Sequence, residues 1–267
     1  MFYTPSHPTL KKCIQNIWII RQASMPLHLK MLPDGHSDIM FNLGEPYGIA
    51  YNREAYQWVS GSMLFGQRSK SLHLNQNGPV NMIGIRLFPG KEYAFTGKSA
   101  DEFVNRHVSL TDLFGETMIE VEEKLKSLWD KSEQIVSYIE DLLLKLLKHP
   151  ELLGNEKMEL AVDHVFQHGV KNAYDLMNEL NLTYKQGERL FKKHLGLTPK
   201  MYLRVVRFHR AFRMLRGKKT VDWTMVLRDL NYYDQSHFIK DYHYFTGNTP
   251  SVQFNKQNTL DEFFGFQ

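Results

Sequence analysis

The sequence predicts an α+β chain: an N-terminal, mostly antiparallel, barrel-like β domain with trailing helices, then an all-α domain of two helix-turn-helix units joined by a long linking helix. Three observations predict it. Short runs rich in aromatic and branched residues, separated by Pro, Gly and Asn, extend to Phe88; helical spacing takes over after Ser99; and one helix-turn-helix pattern occurs twice between residues 172 and 256. At 267 residues, the chain is long enough for two domains, each with its own core.

The strand candidates are Cys13 to Arg21, Ser37 to Leu43, Tyr56 to Met63, Ser71 to Leu74 and Val80 to Phe88. Turn residues bound them, as an antiparallel sheet or small barrel requires. Thr111 to Trp129 and Ser132 to Leu147 are amphipathic helix candidates, and Asn155 to His168 leads into the repeat. The division expected is residues 1–150 for the β-rich part, 151–258 for the helical part and 259–267 for a C-terminal tail.

The repeat lies in Leu176-Met177-Asn178-Glu179-Leu180-Asn181-Leu182-Thr183 and in Val226-Leu227-Arg228-Asp229-Leu230-Asn231-Tyr232-Tyr233-Asp234. In each, an Asn follows the last apolar helical position, where it tolerates the left-handed conformation that ends a helix. Thr183 and Asp234 then cap the next helix through their side-chain oxygens. Between the units, Thr198-Pro199 opens a helix whose apolar residues Met201, Val205, Phe208, Phe212 and Leu215 recur at spacings of four and three, to about Arg216.

The remaining faces of that segment are cationic. From Lys185 to Lys219 there are 12 Lys and Arg residues and one acid, Glu188, whereas the whole chain carries a net charge of only +4. Cations concentrated without compensating acids, and flanked by two helix-turn-helix patterns, make a phosphate-binding face a better explanation than a solvated helix surface. Double-stranded DNA is the expected partner.

Residues 172–256 resemble the DNA-binding domain of the AraC family of bacterial transcription regulators. The resemblance is carried by Arg189-Leu190-Phe191 with Gly196-Leu197-Thr198-Pro199, by Arg207 with Ala211, and by Asp234-Gln235-Ser236-His237-Phe238 with Gly247-Asn248-Thr249-Pro250. It implies that each unit sets its second helix in the major groove and that the linking helix holds the two about one DNA turn apart. It also implies that Lys185, Glu188 and Arg189 face base edges in the first unit, and Gln235, Ser236, His237 and Lys240 in the second. Arg189 suits guanine, Gln235 adenine, and Glu188 either a cytosine amine or Lys192 four residues on. His237 either reads a base or orients the helix start, and Phe238 belongs to the core. Lys192, Lys193, Arg204 and Arg210 are expected on phosphates. The chain departs from the family in having Met177 and Leu227 for Ala, Asn181 and Asn231 for Gly, and Gly187 within a reading helix at a cost of roughly 1 kcal/mol relative to Ala.

Leu32 to Gly44 and Ile83 to Gly90 are similar to an uncharacterised domain found ahead of such readers. That likeness supports the domain boundary and supplies no ligand; the AraC-family resemblance implies that this half binds a small effector or pairs the chain as a homodimer, and that an activator of this kind engages RNA polymerase. Aromatic and polar residues of the strand-like segments, Trp18, His36, Phe41, Trp58, His73 and Arg86, are the candidate effector contacts, against the alternative that they fill the barrel.

His28, Asp34, His36, Asp38 and His73 raise a metal site and, with it, the alternative of a metal-dependent β-barrel enzyme that uses its basic half for localisation. They lack tight ligand spacing, and no phosphate-binding glycine loop, Gly-x-Ser-x-Gly elbow or zinc-finger cysteine set occurs. The expectation is therefore no enzyme, no cofactor and no metal. Cys13 is the sole cysteine and sits in an apolar run, which fits a core position in a reducing compartment. With no membrane-spanning apolar stretch and no signal peptide at Met1 to Pro5, a cytoplasmic protein is expected.

Overall fold

Alternation along the long strands builds the N-terminal half as two sheets packed face to face. The computed structural model describes residues 1–22, 27–52, 54–168, 172–215 and 227–249. Strands β1 (Phe2–Tyr3), β2 (Ile14–Gln22), β4 (Asp38–Asn42), β7 (Met63–Phe65), β9 (Val80–Leu87) and β10 (His107–Ser109) form a six-stranded sheet in the order β1-β2-β9-β4-β7-β10. A second sheet, β3-β8-β5-β6, is made of β3 (Leu27–Met31), β5 (Tyr47–Tyr51), β6 (Gln57–Val59) and β8 (Leu72–Gln76). Pairing is antiparallel throughout the described strands.

Ile17, Ile19, Ile39, Phe41, Ile83 and Ile85 pack toward the helices, while Trp18, Ile20, Met40 and Met82 pack toward Leu27, Ile49, Leu72 and Leu74 of the smaller sheet. The larger sheet is thus buried on both faces, which is why its strands are near-continuous apolar runs. Gly84 is opposite Trp18 across the β2–β9 pair, and a Cβ there would overlap the indole.

The barrel expected from strand spacing is open. β1 and β10 end one sheet and β3 and β6 end the other, so no strand pair closes a ring among the described residues. Two other expectations change at glycines of positive φ. The Tyr56 to Met63 run divides into β6 and β7 at Gly61, and Thr111 to Trp129 divides into α2 (Leu110–Phe114) and α3 (Thr117–Ser127) at Gly115. α1 (Glu92–Thr96) follows β9, α4 (Ser132–Leu146) packs with α3 over the larger sheet, and α5 (Glu156–Asp163) runs into a π turn at His164–His168. Strands β1, β3, β5 and β10 were not among the sequence candidates.

The C-terminal half consists of α6 (Ala173–Glu179), α7 (Tyr184–Leu195), α8 (Pro199–Leu215) and α9 (Gln235–Thr246), with residues 227–229 helical ahead of the second turn. Arg216, Lys218, Lys219, Val226, Pro250 and the 259–267 tail lie outside the described residues. The predicted stripe of α8 is buried at Val205, Phe208, Phe212 and Leu215, but so are Tyr202, Val206, His209 and Ala211. The wide buried arc has a cause: α8 packs on its own domain from one side and on the N-terminal half from the other. Leu32 joins the C-terminal core, and a Cβ on Gly35 would lie 3.3 Å from the Tyr202 ring.

Candidate nucleic-acid interface and interdomain cavity

Both turns of the repeat have the local chemistry their residues specify. Asn181 and Asn231 have φ of 51° and 55°. Thr183 Oγ1 accepts from the Gln186 amide, and the Gln186 side chain accepts from the Thr183 amide in return, forming a capping box. Asp234 Oδ1 accepts from the His237 amide at 2.7 Å. Each following helix is 12 residues long and closes on a left-handed glycine, Gly196 and Gly247. Thr198 Oγ1 accepts from the Met201 amide and caps α8.

The outward face of α7 carries exposed Lys185, Arg189, Lys192 and Lys193, with Glu188 half-buried; that of α9 carries exposed Gln235, Ser236 and Lys240. Glu188 makes no ion pair with Lys192 among the described residues. His237 is half-buried, its ring edge-on to Tyr232 with centroids 5.2 Å apart, and Phe238 is core. Arg210 is half-exposed on α8.

Arg204, expected on phosphate, is committed inside the domain. Its Nε and Nη2 donate to Asp241 Oδ1 at 3.1 and 2.7 Å, and Asp241 is buried; the guanidinium also lies 4.8 Å from the Tyr244 ring centroid. Arg207 is placed similarly, 4.8 Å from the Tyr232 ring and donating to the Asn231 carbonyl at 3.3 Å. These two arginines fix α9 and its turn to α8. A buried charge keeps a partner because an uncompensated one is expensive, and no feature of the helical spacing announced Asp241 as that partner.

The N-terminal half touches both α7 and α9 near their C-terminal ends. Lys193 Nζ sits 4.7 Å over the Tyr93 ring, Val104 packs against Gly196, and Lys30 Nζ donates to the Thr246 carbonyl at 2.8 Å. A cleft beside α7 brings Asp101 and Glu102 to the side of Arg189, Lys192 and Lys193.

Between the halves lies a cavity of about 670 Å³. Lys12, Arg86, Lys91 and Arg213 supply cations to its wall, Glu159 and Asp163 acids, His36 and His209 imidazoles, and Phe88, Pro89, Val162 and Phe166 an apolar side. Arg86 is anchored from below: it and Arg68 bracket Asp34 and Asp38, all four buried. Burial alone would raise the Asp34 pKa, but the two guanidiniums hold it well below the usual carboxylate range. Lys91 pairs with Glu159 at 2.5 Å. Burial, reinforced by Arg86, lowers His36 to about 3; burial lowers His209 to about 4, and its Nε2 has no hydrogen-bond partner among the described residues.

Of the six sequence candidates for effector contact, His36 and Arg86 line this cavity and the other four do not. Trp18 is core between the sheets and Phe41 core beneath the helices, because each lies on an inward-facing strand position. Trp58 is 54% exposed on the edge strand β6. His73 is half-buried on β8, 3.2 Å from the Ser71 hydroxyl. Lys12, Lys91, His209 and Arg213 were missed; a histidine on the apolar stripe of α8 was the signal available for one of them. Asp34 and Asp38, raised as metal ligands, are engaged by guanidiniums, and among the described residues no group of three or more His, Cys, Asp or Glu is arranged to hold a metal. Cys13 is fully buried, with its thiol pushed up to about 12 by burial. No described helix is long and apolar enough to cross a membrane.

Residues 2–109 match a family described as a domain of unknown function, DUF6597, and residues 176–256 match the helix-turn-helix domain family. Among proteins of curated function none matches. Two crystal structures of ToxT from Vibrio cholerae are similar to this chain at 10% and 8% identity, with TM-scores of 0.48 and 0.47, each over 91% of this chain and 98% of their own. The AraC-like transcriptional activator CuxR is similar at 13% identity and TM-score 0.31, over 79% of this chain and 86% of its own. Two capped helices on a shared linking helix, within a stretch that matches the helix-turn-helix domain family and behind an N-terminal sheet domain, give this chain the architecture of a DNA-binding transcription regulator.

Proposed function

We propose that the chain reads two successive major-groove segments of double-stranded DNA, one with each reading helix, under the control of a small anionic effector held between its halves. Residues 1–150 act as the sensing half and 151–258 as the reading half. The observation that carries the DNA reading is the twin construction of α7 and α9, two 12-residue helices opened by side-chain caps, closed by glycines and exposed on their outward faces. α8, at 17 residues, spans about 25 Å, the order of one DNA turn. Lys185, Glu188 and Arg189 meet base edges in one segment, and Gln235, Ser236 and Lys240 in the other, with His237 bracing the start of α9. Lys192, Lys193 and Arg210 take phosphates. Protection of guanine N7 positions from methylation tests this: two protected patches about 10 base pairs apart on one face of the duplex support it, and a single patch contradicts it.

The effector reading rests on the cavity. Its volume is in the range of small-molecule sites, and its mixture of cations with an apolar side suits a carboxylate or phosphate on a small apolar body. His209 and Arg213 belong to α8, the helix that spaces the readers, so a ligand bound there acts on their setting if it binds two interdomain arrangements unequally. Benzoate and phenyl phosphate should raise the melting temperature of the wild type and not of Arg213→Glu. An equal rise with neutral benzamide, or in Arg213→Glu, contradicts an anionic site.

A further inference from the structure

The rotation of α9 about its own axis is set from inside the domain. Phe238, Asp241, Tyr242, Phe245 and Thr246 are buried, and the Arg204 ion pair holds Asp241 in place. Gln235, Ser236, Ile239, Lys240, His243 and Tyr244 are left on the outside. Four of these six are polar, and Tyr244, near the C-terminal end, has the Arg204 guanidinium 4.8 Å from its ring centroid. Ile239 is 37% exposed, a branched apolar side chain in the middle of a polar reading face. A single exposed apolar residue is ordinary on a protein surface; what distinguishes Ile239 is its position in the repeat.

Ile239 is the fifth residue after the Asp234 cap, as Glu188 is the fifth after the Thr183 cap. The two helices have the same length and end on the same kind of glycine, so these positions are structural equivalents. In the first unit that position holds a carboxylate suited to a cytosine amine. In the second it holds a group with no hydrogen-bonding capacity at all. The 5-methyl of thymine is the one apolar feature that base edges present in the major groove.

We propose that Ile239 reads a thymine through its 5-methyl group, so that the two DNA segments differ in the base they require at this equivalent position. The assignment rests on the docking of α9 in the major groove stated above. Burying one methyl against an apolar side chain gives a modest, position-specific preference and no salt dependence.

The test uses the full chain and its selected duplex, remade with deoxyuridine in place of each thymine of the second segment in turn. Each replacement deletes one methyl and leaves every hydrogen-bonding group. One replacement should weaken wild-type binding about three- to tenfold and leave Ile239→Ala unaffected, because that variant has already lost the contact. Ile239→Ala should melt with the wild type. The proposal is overturned if no replacement weakens the wild type, or if one weakens Ile239→Ala equally. Gln235→Ala and Lys240→Ala separate the two levels: if both lose affinity while the uracil effect is absent, the Ile239 assignment alone falls; if both bind as the wild type does, α9 is off the DNA and the docking falls with it.

Discussion

Met177 on α6 fills the space that a side chain at Gly187 on α7 would need: a Cβ built on Gly187 would overlap the Met177 sulfur and lie 3.0 Å from its Cε. Sequence reasoning met these residues as two unrelated departures from the family pattern. They are one adjustment, a larger residue on the first helix matched by the absence of a side chain on the second.

The pair predicts non-additive energetics. Gly187→Ala gains roughly 1 kcal/mol of helix propensity yet should lower stability by about 1–3 kcal/mol through overpacking. Met177→Ala opens a cavity in the wild type but should cost less in the Gly187→Ala background. Urea denaturation of the four proteins gives the coupling, and additive effects would contradict the packing described.

Arg204 and Lys192 should part company. Removing Arg204 leaves the buried Asp241 carboxylate without its closest partner, so Arg204→Ala should cost about 3 kcal/mol or more of stability. Once the protein is folded, the salt slope of DNA binding should stay at the wild-type value. Lys192→Ala should leave stability nearly unchanged and lower that slope by about one. Melting curves alongside titrations at several salt concentrations check both, and a reduced slope for Arg204→Ala with unchanged melting would return Arg204 to the phosphate face.

Glu92, fully buried, predicts a pH effect of definite sign. Burial pushes its carboxyl up to about 8, while the unfolded group titrates near 4.5. The folded state therefore holds the proton more firmly. Its contribution is complete below pH 4.5 and is lost as pH rises through 8. His36 and His209 act in the opposite direction and lower down: kept neutral by burial, they contribute fully above 6.5 and lose that contribution as pH falls toward 4 and 3. Between about pH 6.5 and 9 the wild type should lose stability on the order of a few kcal/mol relative to Glu92→Gln, which keeps the neutral shape. Parallel stability curves for the two proteins would contradict the assignment.

What was legible in the sequence was local. Thr183, Asp234, Asn181 and Asn231 act within a few residues of themselves, so caps and turns could be placed to the residue. The runs that became β2, β4 and β9 follow from their aromatic and branched residues and the turn residues that bound them. The cavity was not legible because Lys12, Arg86, Lys91 and Arg213 meet only through the packing of α8 on the sheets, a relationship with no sequence period. Barrel closure depends likewise on which strands end the sheets, which strand spacing does not encode. Arg204 was misjudged for a related reason: a cation on an amphipathic helix has the same spacing whether it faces a phosphate or a buried aspartate on another helix.

The most direct measurement is selection of bound duplexes from a random DNA library, carried out in parallel with the wild type, Arg189→Ala and Lys240→Ala. Two elements about one helical turn apart are expected for the wild type. Arg189→Ala should relax one position of the first element, at a cost of about 1–3 kcal/mol, and Lys240→Ala one position of the second. A single element, or the same positions relaxed in both variants, would contradict reading by two helices.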